Sequence, residues 1–200
     1  MPVDVPPPTV NLSDRWQLQT DKTTTPFETA IVTVHAHTCV FTDIKLSAAI
    51  NTSKDTDTDT TTTWRFVFAS RLQLSRSAAI SDPILTLVRN RAASRFVEIL
   101  NERGFSSIRE ADTRRFDRGA ETVPIRRYRA TVIPAPAPTE KMAQTPVEAY
   151  VTTWAQSAEQ DQNQDLMIAG GAYPLSVPSH VHFDRKQGRT ELFDIIRSVE

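Results

Sequence analysis

Apolar residues recur along this chain with two periods, and the points where one gives way to the other mark its elements. Between Asp82 and Phe105 the residues Leu85, Val88, Ala92, Phe96 and Ile99 return at steps of three and four, while Arg89, Arg91, Arg95, Glu98 and Glu102 fall mainly off that stripe. This is the pattern of a helix with one buried face. Asp82 is placed to cap the first turn, Pro83 to occupy the first helical position, Gly104 to take the left-handed conformation after the last turn, and Phe105 to fold back on Leu100.

Nearly everywhere else the period is two. Trp16 to Thr20 alternates as a short strand, and the polar DKTTTP after it reads as a turn. A long strand is predicted from about Thr29 to Thr42, with Ala30, Val32, Val34, Ala36 and Val40 on the better core face and Ile31, Thr33, His35, His37, Cys39 and Phe41 on the other. Asp43 can cap a short helix over 44–50. From Trp64 to Leu74, Trp64, Phe66, Phe68, Leu72 and Leu74 face one way and Arg65, Arg71 and Gln73 the other, so one side is expected to be core and the other wet or covered by charge. Strands follow at about 108–116, 123–133, 147–155 and 166–173. Gly170-Gly171 in the last marks a bulge or a close backbone approach. Leu192, Phe193, Ile195, Ile196 and Val199 make a second, shorter amphipathic helix over 188–199.

Two strands, a short helix, a strand, a long helix, four strands and a closing helix do not alternate as βαβ units. The predicted class is therefore α+β: an antiparallel sheet of about six or seven strands flanked by one long and one or two shorter helices. This element order and the closing ELFDIIRSV resemble the PsbP-like fold shared with the Mog-type Ran-binding proteins, and that resemblance implies a sheet sandwiched by helices. The segments TAIVTVHAHTCVFTD, WRFVFASRL and LMIAGGAYP are similar to those of uncharacterised proteins from halophilic archaea, which are usually far more acidic. Neither resemblance carries a catalytic residue onto a position here. A helix-grip fold is the structural alternative, in which the long helix comes last. Residues 1–12 are expected to form a disordered or extended proline-rich tail, 13–200 a single α+β domain, and the hydrophilic 51–63 a mobile surface loop.

Composition narrows the function classes. The single cysteine, Cys39, excludes an intrachain disulfide and points to a reducing, cytoplasmic setting. No stretch approaches the roughly 20 apolar residues of a membrane span, so no membrane partner is expected. The net charge of −1 argues against generic adhesion to nucleic acid. That charge is uneven: 85–129 holds eleven arginines against six acidic residues, a local +5, which leaves −6 elsewhere.

Two groups of residues are candidates for a site. All four histidines occur as H-x-H pairs, His35/His37 and His180/His182. Two-residue spacing on a strand points both rings to one face about 6–7 Å apart, a geometry able to hold Zn²⁺ or another borderline metal, and Cys39 continues that face. The opposing consideration is that no carboxylate is fixed nearby, so well under one equivalent of metal is expected. The second group is Arg109, Arg114, Arg115, Arg118, Arg126, Arg127 and Arg129, on a hairpin with Phe116 and Tyr128. Arginine with aromatics can grip phosphates and stack bases, but the interleaved Glu110, Asp112, Asp117 and Glu121 would consume much of the charge. Asp55, Asp57 and Asp59 have a calcium-loop spacing, yet the sixth-position glycine is missing and Phe66 stands where the bidentate Glu belongs. There is no G-x-S-x-G elbow, phosphate-binding glycine loop or H-E-x-x-H. The leading reading is a non-catalytic domain without cofactor that binds a protein or small-molecule ligand. The alternatives are a metal-binding protein or metal-dependent enzyme at the H-x-H pairs, and an anion or nucleic-acid binder at the arginine hairpin.

Overall fold

The structure is a computed structural model, and it describes residues 5–28, 33–50, 63–75, 81–132, 144–157 and 164–200. In chain order its elements are β1 (Trp16–Glu28), β2 (Thr33–Asp43), α1 (Ile44–Ile50), β3 (Phe66–Ser75), α2 (Asp82–Glu102), β4 (Phe105–Arg118), β5 (Glu121–Val132), β6 (Thr145–Ser157), β7 (Gln164–Pro174) and α3 (Arg185–Arg197). The first residues of the expected long strand (29–32) and all but the last residue of the predicted loop 51–63 lie outside the described residues. The strands form one antiparallel sheet in the order β1–β2–β3–β7–β6–β5–β4. The chain therefore leaves the middle of the sheet at β3, crosses one face as α2, and returns from the far edge as a four-strand meander. With α2 between β3 and β4, the long helix does not come last as a helix-grip fold requires.

Each face of the sheet has its own core. On the α2 face Phe66, Phe68, Phe96, Leu100, Phe105 and Tyr128 pack together; on the other, Leu192, Ile195 and Ile196 of α3 close over Val67, Ala69, Tyr150 and Met167. The second face of β3 is thus not wet. Val67 and Ala69 are each 1% exposed, because a strand at the sheet centre is covered on both sides. The two glycines of β7 serve the same end. No bulge interrupts the β3–β7 or β6–β7 ladders. Instead a Cβ at Gly170 would collide with the Tyr150 carbonyl and Phe68, and one at Gly171 with the Phe66 carbonyl and Leu192.

Three local expectations shift. DKTTTP does not turn: β1 continues through it as an edge strand with register shifts at Leu18/Thr20 and Thr24/Phe27, since β-branched threonine accepts extended backbone and an edge can stay polar. The cap of α2 is Ser81, one residue earlier than predicted, and makes no side-chain bond, so Asp82 and Pro83 both sit in the first turn. The buried stripe of α2 runs through Ala93, Phe96 and Leu100, one residue off Ala92 and Ile99 at each end. Gly104 takes φ +83° as its position requires. Asp43 accepts from Leu46 N at 2.9 Å and so caps α1.

Candidate functional site

The antiparallel β1–β2 ladder sets Asp21 directly opposite Cys39 and Thr23 opposite His37. Asp21 Oδ1 and His37 Nε2 lie 2.5 Å apart. Those two atoms and Cys39 Sγ are all within 4.8 Å of one another, and among the described residues this is the group of His, Cys and carboxylate side chains close enough to share an ion. The cluster grades from an exposed Asp21 through a half-buried His37 to a Cys39 only 5% exposed. Burial, and then the charge of Asp21, push the Cys39 thiol up.

The start of the chain completes these surroundings. Residues 5–12, expected to be disordered or extended, lie extended across the α3 face: Val5 is fully buried, while Val10 and Leu12 pack beside Trp16 and the α3 core. Prolines hold such a segment extended at little further entropic cost. Thr9 N donates to Glu200 O and Glu200 N to Thr9 O, while Asn11 N donates to Ser198 Oγ. At its head the Val5 carbonyl sits 2.9 Å from His37 Nδ1. A carbonyl can only accept, so Nδ1 carries a proton, while Nε2 is turned toward Cys39 and engaged by the Asp21 carboxylate, itself an acceptor.

The other histidines lie apart from this cluster. His35 is half-buried, with Nδ1 3.3 Å from Thr25 Oγ1. His180 and His182 are exposed in the turn between β7 and α3. Phe183, next to His182, lies 5.7 Å under the Arg65 guanidinium, whereas His37 pairs with Arg71. The six residue steps from Arg65 to Arg71 span about 20 Å, so the two H-x-H segments do not meet.

The hairpin arginines divide between the two faces of the sheet. On the α3 side Arg114 and Arg127 both bind Asp112, and Arg127 also binds Glu148 at 3.1 Å. The two guanidinium groups hold the Asp112 carboxyl below its ordinary range. Arg118 stacks 3.8 Å over Trp154 and donates to Val199 O. On the α2 side Arg126 Nη2 donates to Asn90 Oδ1, and Nη1 lies 3.5 Å from Glu110. Arg109 and Arg129 are cross-strand partners and exposed, as is Arg115.

Two buried polar networks escaped the sequence reading. Glu148, on the inner face of β6, accepts from Tyr150 and Tyr173 hydroxyls at 2.9 and 2.8 Å as well as from Arg127. Burial pulls its carboxyl up, but the two hydroxyls and the guanidinium outweigh that, and the net direction is down. Immediately before β3, Arg65, 1% exposed, joins Asp43 to Glu191 of α3 and stacks on Trp16. The available signal was one charge set inside each apolar run, VEAYVTTW and WRFVF. Both networks tie elements together across the sheet and its covering helix.

Against known families, the chain belongs to the family described as Domain of unknown function (DUF6517), which it matches over residues 2–200. No curated protein and no solved structure matches it, so the resemblances to PsbP-like and haloarchaeal proteins gain no support there. Among the described residues no helix is long and apolar enough to cross a membrane.

Proposed function

We propose that this DUF6517 domain is a binding module whose ligand is a borderline divalent metal ion of the Zn²⁺ class, held by Asp21, His37 and Cys39. The observation that carries the reading is the Val5 carbonyl on His37 Nδ1. Metal-ligating histidines donate their second ring N–H to a carbonyl or carboxylate, which fixes the tautomer and turns the other nitrogen to the ion. Here that other nitrogen, engaged by Asp21 at 2.5 Å, is the one beside a carboxylate and a thiol.

The donor set of one nitrogen, one sulfur and one oxygen suits zinc, with distances near 2.0–2.3 Å. Tetrahedral ligands at those distances stand about 3.3 Å apart, so Asp21 must withdraw from its 2.5 Å contact, which an exposed edge-strand side chain can do by rotating. Metal binding would also draw the Cys39 proton off, since a coordinating thiol is deprotonated. Three protein donors leave a fourth position for water or for a group on a partner. The carboxylate that the sequence alone could not place is the reason metal was expected to be scarce; β1–β2 pairing supplies it.

Because the chain has one cysteine, cobalt substitution gives an unambiguous assignment. Tag-free protein titrated with Co²⁺ is expected to bind one equivalent with a sulfur-to-cobalt charge-transfer band, displaced by Zn²⁺, absent in Cys39→Ser and weaker in Asp21→Asn. A cobalt complex without that band, or no saturable binding, overturns the reading.

A further inference from the structure

We infer that the cleft between α2 and the β4–β5–β6 part of the sheet is a second site, for a tetrahedral oxyanion of phosphate size. It lies on the opposite face of the sheet from the Asp21–His37–Cys39 cluster and rests on different observations.

The cleft, partly open to solvent, has a volume of about 110 Å³, and its walls include Arg89 from α2, Thr113 from β4, Pro124 and Arg126 from β5, and Val151 and Thr153 from β6. Two cations therefore face a small space floored by Pro124 and Val151. An ionic contact over such a floor is less screened than one in open water. That volume suits one oxyanion and falls well below the several hundred Å³ of a site for a drug-sized organic ligand.

The charge balance distinguishes this face from the other. Across the sheet, Arg114 and Arg127 are saturated by Asp112 and Glu148. In the cleft, Arg89 makes one long bond, Nε to Thr153 O at 3.5 Å, and among the described residues its Nη groups meet no carboxylate. Arg126 is aimed by Asn90 Oδ1, and its contact with Glu110 is 3.5 Å between partly exposed side chains, the kind of pair that contributes little. Arg115, exposed and in register with Pro124, adds a third cation at the rim without a carboxylate partner among the described residues. Two guanidinium forks from different elements, one held by a neutral amide, form the arrangement that binds phosphate or sulfate with geometric selectivity. The hydroxyl of Thr113, 3.4 Å from Glu110, can turn to donate to the same anion.

The test is a titration of the intact protein with inorganic phosphate, followed by backbone amide shifts. Saturable shifts confined to the cleft are expected, with sulfate competing. Arg89→Gln should weaken binding on the order of tenfold; Arg91→Gln, on the exposed side of the same helix, should not; Glu110→Gln should strengthen it. A melting curve for each variant separates lost binding from lost folding. A parallel arm with adenosine monophosphate separates the two sources of this chemistry: tighter binding than phosphate assigns the site to a phosphomonoester, and equal or weaker binding assigns it to the free anion. The absence of saturable binding, or equal weakening by Arg91→Gln, overturns the proposal.

Discussion

The carbonyl of Val5 accepts from His37 Nδ1 at 2.9 Å, joining the start of the chain to the middle of β2. Val5 is 0% exposed, so this strap is packed as well as hydrogen-bonded. Val5→Ala should cost about 1–2 kcal/mol, the scale of two buried methyl groups, read as a lower urea midpoint. Removing residues 1–8 takes away the carbonyl too, and should lower zinc affinity about 10–100-fold, the usual effect of losing a partner that orients a ligand. A truncated protein with undiminished zinc affinity would show that the strap does not set the tautomer.

Phe96 lies 5.5 Å from Phe68 and 5.8 Å from Tyr128, centroid to centroid, and is 1% exposed. Phe96→Ala should cost about 3–5 kcal/mol. Leu87→Ala, on the same helix but 62% exposed, should stay within about 0.5 kcal/mol. Chemical denaturation of the two variants side by side checks the facing of α2, and a Phe96→Ala loss below about 1 kcal/mol would reject it.

Glu148 gives the fold an acid-sensitive tie. Its folded-state carboxyl lies below the ordinary value because the Tyr173 and Tyr150 hydroxyls and Arg127 outweigh the effect of burial. A depressed carboxylate contributes stability that is fully present above its unfolded pKa and is lost as pH falls through the folded one. Glu148→Gln should therefore cost about 2–3 kcal/mol at neutral pH, from the charged hydrogen bonds removed. The gap to wild type should begin to narrow below about pH 4, where the unfolded carboxyl protonates, and close only as pH falls past the lower folded-state value. Urea unfolding of both proteins at neutral and acidic pH measures it; a gap that does not change with pH would mean that the tie is one of shape, not charge.

Much of the fold was legible because local periodicity and long-range packing agree in it. The apolar stripe of α2 and the runs around Phe66–Phe68 and Leu166–Tyr173 each state their own burial, and the left-handed Gly104 states where the helix stops. That is enough to select an antiparallel sheet with helices over a parallel one. Where the reading slipped, local preference had been asked to decide a tertiary matter. Thr23 to Pro26 is polar enough for a turn, and only pairing with β2 makes it strand.

The candidate sites show the same division more sharply. Taken by itself, the sequence determined which chemistry was available: one thiol, two H-x-H pairs and an arginine-rich hairpin with interleaved acids. It also determined, by the strict period of two, that His37 and Cys39 share a face and that Arg126 and Arg127 do not. Only the tertiary structure decided partners, because those depend on register and on which segments cross which face. Register put Asp21 opposite Cys39, the strap brought the Val5 carbonyl to His37, about 20 Å of strand separated the second histidine pair from the first, and α2 carried Arg89 to Arg126. None of these distances is a function of spacing along the chain. Each follows from where the sheet and its two covering layers place residues that lie far apart in sequence.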